Sequence, residues 1–170
     1  GSINPMFVMP DAVKARGAEL GKAWVGSLTM GAGQFCTNPG VAILLDTTES
    51  GAFVSSAVEA AKDVAKQAML TDGIAEAYRK GAERISKTDG VKALIGEANA
   101  SRHASPYLFE TTGEVWARDE SLGEEVFGPL GIVIRVKSVE EMAKLAKGLH
   151  GQLTVTLHMD GGDTEGTKTL

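Results

Sequence analysis

A chain of 170 residues with 43% hydrophobic and 23% charged side chains and only five prolines has the composition of one folded domain, not of a disordered segment. Its formal charge of -5 offers no broad attraction to phosphate backbones, and no Lys/Arg stripe interleaved with aromatics appears, so nucleic acid is not an expected partner. No apolar run is long enough to cross a bilayer as a helix and the start carries no secretory signal, so no membrane association and a cytoplasmic location are expected; the single cysteine, Cys36, precludes an intrachain disulfide and a thiolate-rich zinc site.

In chain order, Ile3 to Met9 reads as a short strand and Pro10-Asp11 turns the chain into a helix running from about Ala12 to Thr29. Gly31-Ala32-Gly33 breaks that pattern, which places Gln34-Phe35-Cys36-Thr37 on a loop ahead of the apolar strand Val41 to Leu45. Ser50 is a candidate cap for a helix carrying Phe53, Val54, Ala57, Ala61 and Val64, and Glu76 to Ser86 reads as another helix. Val91 to Ile95 and Tyr107 to Thr111 are strand candidates separated by an expected surface loop, Gly96 to Ser105. Gly131 to Val136 is the clearest strand, and Ser138 with Glu141 can cap a helix to about Lys147. Leu153 to Leu157 alternates as a strand should, and the glycine-rich Asp160 to Thr169 reads as a flexible tail. The sum is an α/β fold, a mainly parallel sheet covered by helices, in one architectural unit without internal repeats.

On residue type alone a lone cysteine is more often a buried small hydrophobe than a nucleophile. Its setting after a small-residue turn argues otherwise, since backbone amides there can face an incoming carbonyl. Glu125 taken alone reads as a solvated acid, Phe127 as a core aromatic, Phe35 and Thr37 as loop packing, and Asn4 more as an ordinary turn residue than as one whose amide holds loop geometry. Gln34 reads equally as an exposed turn residue or as one that positions the loop by hydrogen bonding. His103, His150 and His158 form no cluster in sequence, no metal site is expected, and the glycines near Gly31 match no nucleotide-binding fingerprint.

Gly33-Gln34-Phe35-Cys36-Thr37 resembles the cysteine motif of the aldehyde dehydrogenase family, and Glu125-Val126-Phe127-Gly128-Pro129 resembles that family's downstream cofactor-contact motif. Gly1-Ser2-Ile3-Asn4-Pro5 resembles the segment that follows the family's general-base glutamate, and the likeness runs to about Leu157. The resemblance implies that residues 1–170 are a partial catalytic domain, with the cofactor-binding domain, the oxyanion asparagine and the glutamate base upstream and the terminal segment downstream. It implies Cys36 as the nucleophile toward an aldehyde substrate, Glu125 on the nicotinamide ribose and Phe127 beside the nicotinamide of NAD or NADP. Phe35 and Thr37 become candidates for the substrate pocket, and the complete protein is expected to be a homo-oligomer. The isolated chain is expected to bind no cofactor productively and to be inactive. Gly1 to Met9, Phe35 and the continuation Cys36-Thr37-Asn38-Pro39-Gly40 are similar to the α-ketoglutaric-semialdehyde branch, which implies a small carboxylated aldehyde. Two rivals stand beside this: a non-enzymatic structural or oligomer-forming domain, and a cysteine hydrolase, for which no histidine partner is evident.

Overall fold

The computed structural model describes residues 1–170. Eight strands and six helices follow in the order β1 (Met6–Val8), α1 (Pro10–Thr29), β2 (Val41–Leu45), α2 (Ser50–Lys62), β3 (Gln67–Ala68), α3 (Asp72–Ser86), β4 (Lys92–Ile95), β5 (His103–Ala104), β6 (Tyr107–Thr112), α4 (Gly113–Arg118), β7 (Leu130–Val136), α5 (Val139–Gly148), β8 (Thr156–His158) and α6 (Thr164–Thr167). Six strands form one sheet in the order β4-β6-β7-β2-β1-β8, parallel throughout except for β4, which runs antiparallel on the edge. β3 and β5 form a separate antiparallel ribbon.

Side-chain alternation along the strands divides the core in two. Phe7, Val41, Ile43, Phe109, Ile132 and Ile134 point to the face covered by α3, α4 and α5 through Tyr78, Ile85, Trp116, Met142 and Leu145. Met6, Val8, Ala42, Leu44, Leu108 and Val133 point to the opposite face, covered by α1 and α2 through Leu20, Trp24, Leu28, Phe53 and Ala57. With both faces covered, β2 and β7 read as near-continuous apolar runs, as central parallel strands do.

Departures from the sequence expectations have identifiable causes. β1 is shorter than Ile3 to Met9 because Asn4 adopts φ 49° and the amides of Ile3 and Asn4 both donate to the Gln152 side chain, 2.9 Å each, instead of to a ladder. The Leu153 and Thr154 amides likewise donate to Ser2 Oγ and Asn4 Oδ1, so β8 starts only at Thr156. Gly96 to Ser105 is not wholly a surface loop: His103–Ala104 pairs with β3, and Asn99, Ala104 and Ser105 are buried. Ser50 lies inside α2, where its hydroxyl donates to Thr47 O at 2.7 Å, and does not cap the helix. Ser138 does cap α5, accepting from Glu141 N at 3.1 Å, while Glu141 reaches back to Lys137 N.

The tail is ordered by one buried carboxylate. Asp163 accepts from Asp11 N and Ala12 N, at 2.9 and 3.1 Å, and so caps α1, whose own N-cap residue, Met9, has no side-chain cap. It also accepts from Asp160 N in a capping box that winds Gly161–Asp163 into a 3₁₀ turn. Asp163→Ala leaves these amides without their acceptor at a helix N-terminus and is expected to cost about 2 kcal/mol, the upper end for a lost cap. A urea midpoint equal to that of the parent chain would remove this role.

Candidate functional site

In a parallel sheet the segments entering neighbouring strands emerge at the same edge. β1, β2 and β7 are parallel neighbours, with Met6 beside Ala42 and Val41 beside Ile132. Their approach segments, residues 1–5, 30–40 and 124–129, therefore converge, although about ninety positions separate the cysteine from Glu125 in the chain.

The cysteine loop begins where α1 ends. Gly31, Ala32 and Gly33 all take left-handed φ values, 57°, 56° and 67°, which costs an alanine free energy that its surroundings must offset. Gln67 of β3 supplies this, accepting from Ala32 N and donating to Thr29 O, both at 3.0 Å. Gln34 does act as a loop brace, donating to Gly31 O at 3.0 Å and accepting from Leu70 N at 2.7 Å. Next, Asn38 N donates to Phe35 O at 3.1 Å, closing a turn with Cys36 and Thr37 at its two central positions. Cys36 is a free thiol and exposed, outside any helix. Asn38 ties the turn down, its Nδ2 donating to Leu28 O at 2.8 Å and Gly33 O at 3.0 Å.

The second loop, Glu124 to Pro129, enters β7 and packs backbone to backbone on the first. A Cβ built on Gly33 would lie 2.3 Å from the carbonyl carbon of Gly128, and one on Gly128 would lie 2.3 Å from the Tyr78 ring. The Tyr78 hydroxyl sits 2.8 Å from Ser105 O and 3.2 Å from Pro129 O, and burial holds this phenol well above its usual pKa. Glu125 Oε2 lies 3.5 Å from the amino nitrogen of Gly1. A cleft of about 30 Å³ between the loops is lined by Phe35, Asn38, Glu125 and Phe127 together with Ser2 and Ile3. Phe35, Glu125 and Phe127 are thus brought together, while Cys36 and Thr37 stand exposed on the turn beside the cleft and do not line it. Phe127 is half-buried and Phe35 is 48% exposed, so neither is spent on the core.

Residues 1–157 match the aldehyde dehydrogenase family. The chain belongs to that family. It is 38% identical over 164 residues to α-ketoglutaric semialdehyde dehydrogenase 2 of Azospirillum brasilense, a match covering 95% of this chain and 31% of that protein. It is 35% identical over 175 residues to the α-ketoglutaric semialdehyde dehydrogenase of Acinetobacter baylyi, covering 99% of this chain and 33% of that protein. The chain therefore spans about a third of the length of these curated relatives. Among solved structures it resembles the glyceraldehyde-3-phosphate dehydrogenase GapN of Methanocaldococcus jannaschii complexed with NADP, with TM-score 0.83 at 20% identity, covering 100% of this chain and 38% of that one. It also resembles a putative methylmalonate-semialdehyde dehydrogenase of Sinorhizobium meliloti 1021 complexed with NAD, with TM-score 0.83 at 18% identity, covering 99% and 37%. At such identities the likeness is one of fold, and the fold is that of the aldehyde dehydrogenase catalytic domain.

Of the two readings of Asn4, the structure favours the one in which its amide holds loop geometry. Its side chain is 1% exposed and bridges to Cys36 and Asn38, more than thirty positions away. Its left-handed backbone, φ 49°, is one that Asn tolerates better than most residues, although the following Pro5 favours an extended residue at this position. Tyr78 and Gln67, which brace the two loops from α3 and β3, carry no local signal at all. No group of three or more His, Cys, Asp or Glu side chains is placed to hold a metal ion, and no helix is long and apolar enough to cross a membrane.

Proposed function

We propose that residues 1–170 supply the catalytic portion of an NAD(P)-dependent dehydrogenase that oxidises an aldehyde to a carboxylate through a covalent adduct on Cys36. The observation that carries this reading is the convergence of the exposed Cys36 turn with the Glu125 to Pro129 loop at one edge of the sheet.

In this reading the Cys36 thiolate adds to the carbonyl carbon, the C–S bond forms, and the carbonyl π pair moves onto oxygen as a thiohemiacetal anion. The Cys36 backbone N–H has no intramolecular acceptor and is available to that oxygen. Glu125, a carboxylate at the cleft, has the acceptor chemistry that ribose hydroxyls need, and the half-buried Phe127 offers a ring edge for a planar heterocycle. These two would hold NAD(P)+, which when bound accepts the hydride whose departure leaves a thioester on Cys36. Water then cleaves the thioester, the carboxylate leaves, and the thiolate is restored. The family's glutamate base and asparagine donor are assigned to sequence outside residues 1–170, so the isolated chain is proposed to lack sustained turnover.

The substrate is proposed to be a small carboxylated semialdehyde, a reading supported by the names of both curated relatives. In the complete protein, α-ketoglutaric semialdehyde is expected to exceed an uncharged aldehyde of equal length in kcat/KM by about tenfold or more with NAD+ or NADP+, the worth of one hydrogen bond to a charged group. Equal values would sink the substrate assignment while leaving the reaction class standing. In the same assay Glu125→Gln is expected to raise the KM for cofactor or lower kcat by roughly tenfold at an unchanged melting temperature. Unaltered cofactor kinetics would remove Glu125 from the site.

A further inference from the structure

The turn that carries the nucleophile is fastened from beneath by one side chain with every hydrogen-bonding position filled. Asn4 Nδ2 donates to Cys36 O at 2.8 Å and to Asn38 O at 2.9 Å, and its Oδ1 accepts from Ser2 Oγ at 2.6 Å and from Thr154 N at 3.2 Å. Both Nδ2 hydrogens and the Oδ1 oxygen are thus in use, which fixes the amide's orientation, because a flip would set Oδ1 against the two carbonyls and Nδ2 against the Thr154 N–H. The left-handed backbone of Asn4, φ 49°, aims the side chain at the turn, and the Asn4 amide is held in turn by Gln152.

Fastening the Cys36 carbonyl has a chemical consequence. In a trans peptide the C=O and the following N–H point in opposite directions, so drawing Cys36 O inward to the buried Asn4 sends Thr37 N–H outward. The closed turn spends only the Asn38 amide on Phe35 O, and the amides of Cys36 and Thr37 have no intramolecular acceptor. Two free donors therefore flank the exposed thiol, and Asn4 sets the direction of the second, Thr37 N–H.

We propose that Asn4 is a positioning residue that fixes the Cys36–Thr37 peptide so that the Thr37 N–H faces the oxygen of a carbonyl under attack by Cys36; this rests on Cys36 being the nucleophile. The inference separates two reactions of the same thiolate. With p-nitrophenyl acetate, Sγ adds to the carbonyl carbon, an oxyanion develops, and the C–O bond breaks to release p-nitrophenolate and leave an acetyl thioester. With iodoacetamide, Sγ displaces iodide at an sp³ carbon and no oxyanion forms.

In the complete protein, compared on the high-pH plateaus where the thiol is fully ionised, Asn4→Gly keeps access to the left-handed backbone and removes the amide. Its p-nitrophenolate burst rate is expected to fall by about 10- to 100-fold, short of the roughly 10²–10³ lost when an oxyanion donor is deleted outright. Its iodoacetamide rate is expected to stay within about threefold of the parent, since that rate follows thiolate access and nucleophilicity. Asn4→Asp, which keeps the acceptor side but sets an oxygen against both carbonyls, is expected to show the same split and serves if the glycine variant does not fold. Parallel loss of both rates would mean that Asn4 merely holds the loop together, and no loss of either would mean that it fixes nothing; both overturn the proposal. Cys36→Ser separates the premise: a burst that survives it refutes the nucleophile assignment whatever Asn4 does.

Discussion

Cys36→Ala in the complete protein is expected to abolish aldehyde-dependent formation of NADH or NADPH, a loss of about 10⁴-fold or more, as for removal of a covalent nucleophile. The fold is expected to persist. Cys36 is exposed, its side chain fills no core space, and the turn around it is held by Asn4, Asn38 and the Phe35 carbonyl, none of which uses the thiol. A surface change of this kind moves stability by less than about 0.5 kcal/mol. The check is paired: cofactor reduction in steady state, and intact mass after a single turnover, where the parent protein should carry the acyl group and the variant should not. The 170-residue chain alone, assayed beside them, is expected to alkylate at Cys36 yet show no sustained production of reduced cofactor and carboxylate together. Near-parental turnover by the alanine variant would reject covalent catalysis by Cys36, and a family fold would then be left without its assigned chemistry.

What could be read from the sequence divides along a physical line. Period-two and 3.6-residue patterns report burial, so β2, β7, α1, α2 and α5 were legible to within a few residues, and with them the parallel sheet and its two covered faces. Elements held by distant partners were not legible. β3 and β5 are two-residue strands defined only by each other, and α4, although its cap from Val115 N to the Thr112 hydroxyl is local, is too short to show a helical period. The ordered tail depends on Asp163 reaching the first turn of α1 across about 150 positions. The site divides in the same way. Short motifs pointed to Cys36, Glu125 and Phe127, and the parallel register of β1, β2 and β7 explains why their loops meet. Asn4 was readable as a possible loop-holding amide, but Gln67, Tyr78 and Gln152, which also hold those loops, are ordinary in sequence and acquire meaning only from the partners they find in space.

Gly33→Ala is expected to be the most damaging small substitution in the chain. The position needs φ 67°, which alanine tolerates poorly, at roughly 1–2 kcal/mol. The added methyl would also sit 2.3 Å from the carbonyl carbon of Gly128, 2.4 Å from its oxygen and 2.5 Å from Pro129 N, all of them backbone atoms with no rotamer to change. Neither loop can retreat cheaply. Pro129 O accepts from Tyr107 N at 3.0 Å and lies 3.2 Å from the Tyr78 hydroxyl, while Gly33 O accepts from Asn38 Nδ2. Relief must come from parting the cysteine loop from the Glu125 to Pro129 loop, which would break that bracing and open the cleft between Phe35 and Phe127. The combined cost is expected to reach about 3 kcal/mol or more, in the range of overpacking added to backbone strain. The internal control is Gly26→Ala on α1, where an added Cβ meets nothing within 4 Å and should stabilise the helix by about 1 kcal/mol. Urea midpoints moving in opposite directions for the two alanine variants would locate the effect at the loop contact. In the complete protein, Gly33→Ala should also lose cofactor-dependent turnover under conditions where it remains folded, because the two halves of the site no longer meet. A Gly33→Ala variant with the parental midpoint and parental kinetics would show that the two loops are not locked together, and would remove the structural basis for placing Cys36 and Glu125 in one site.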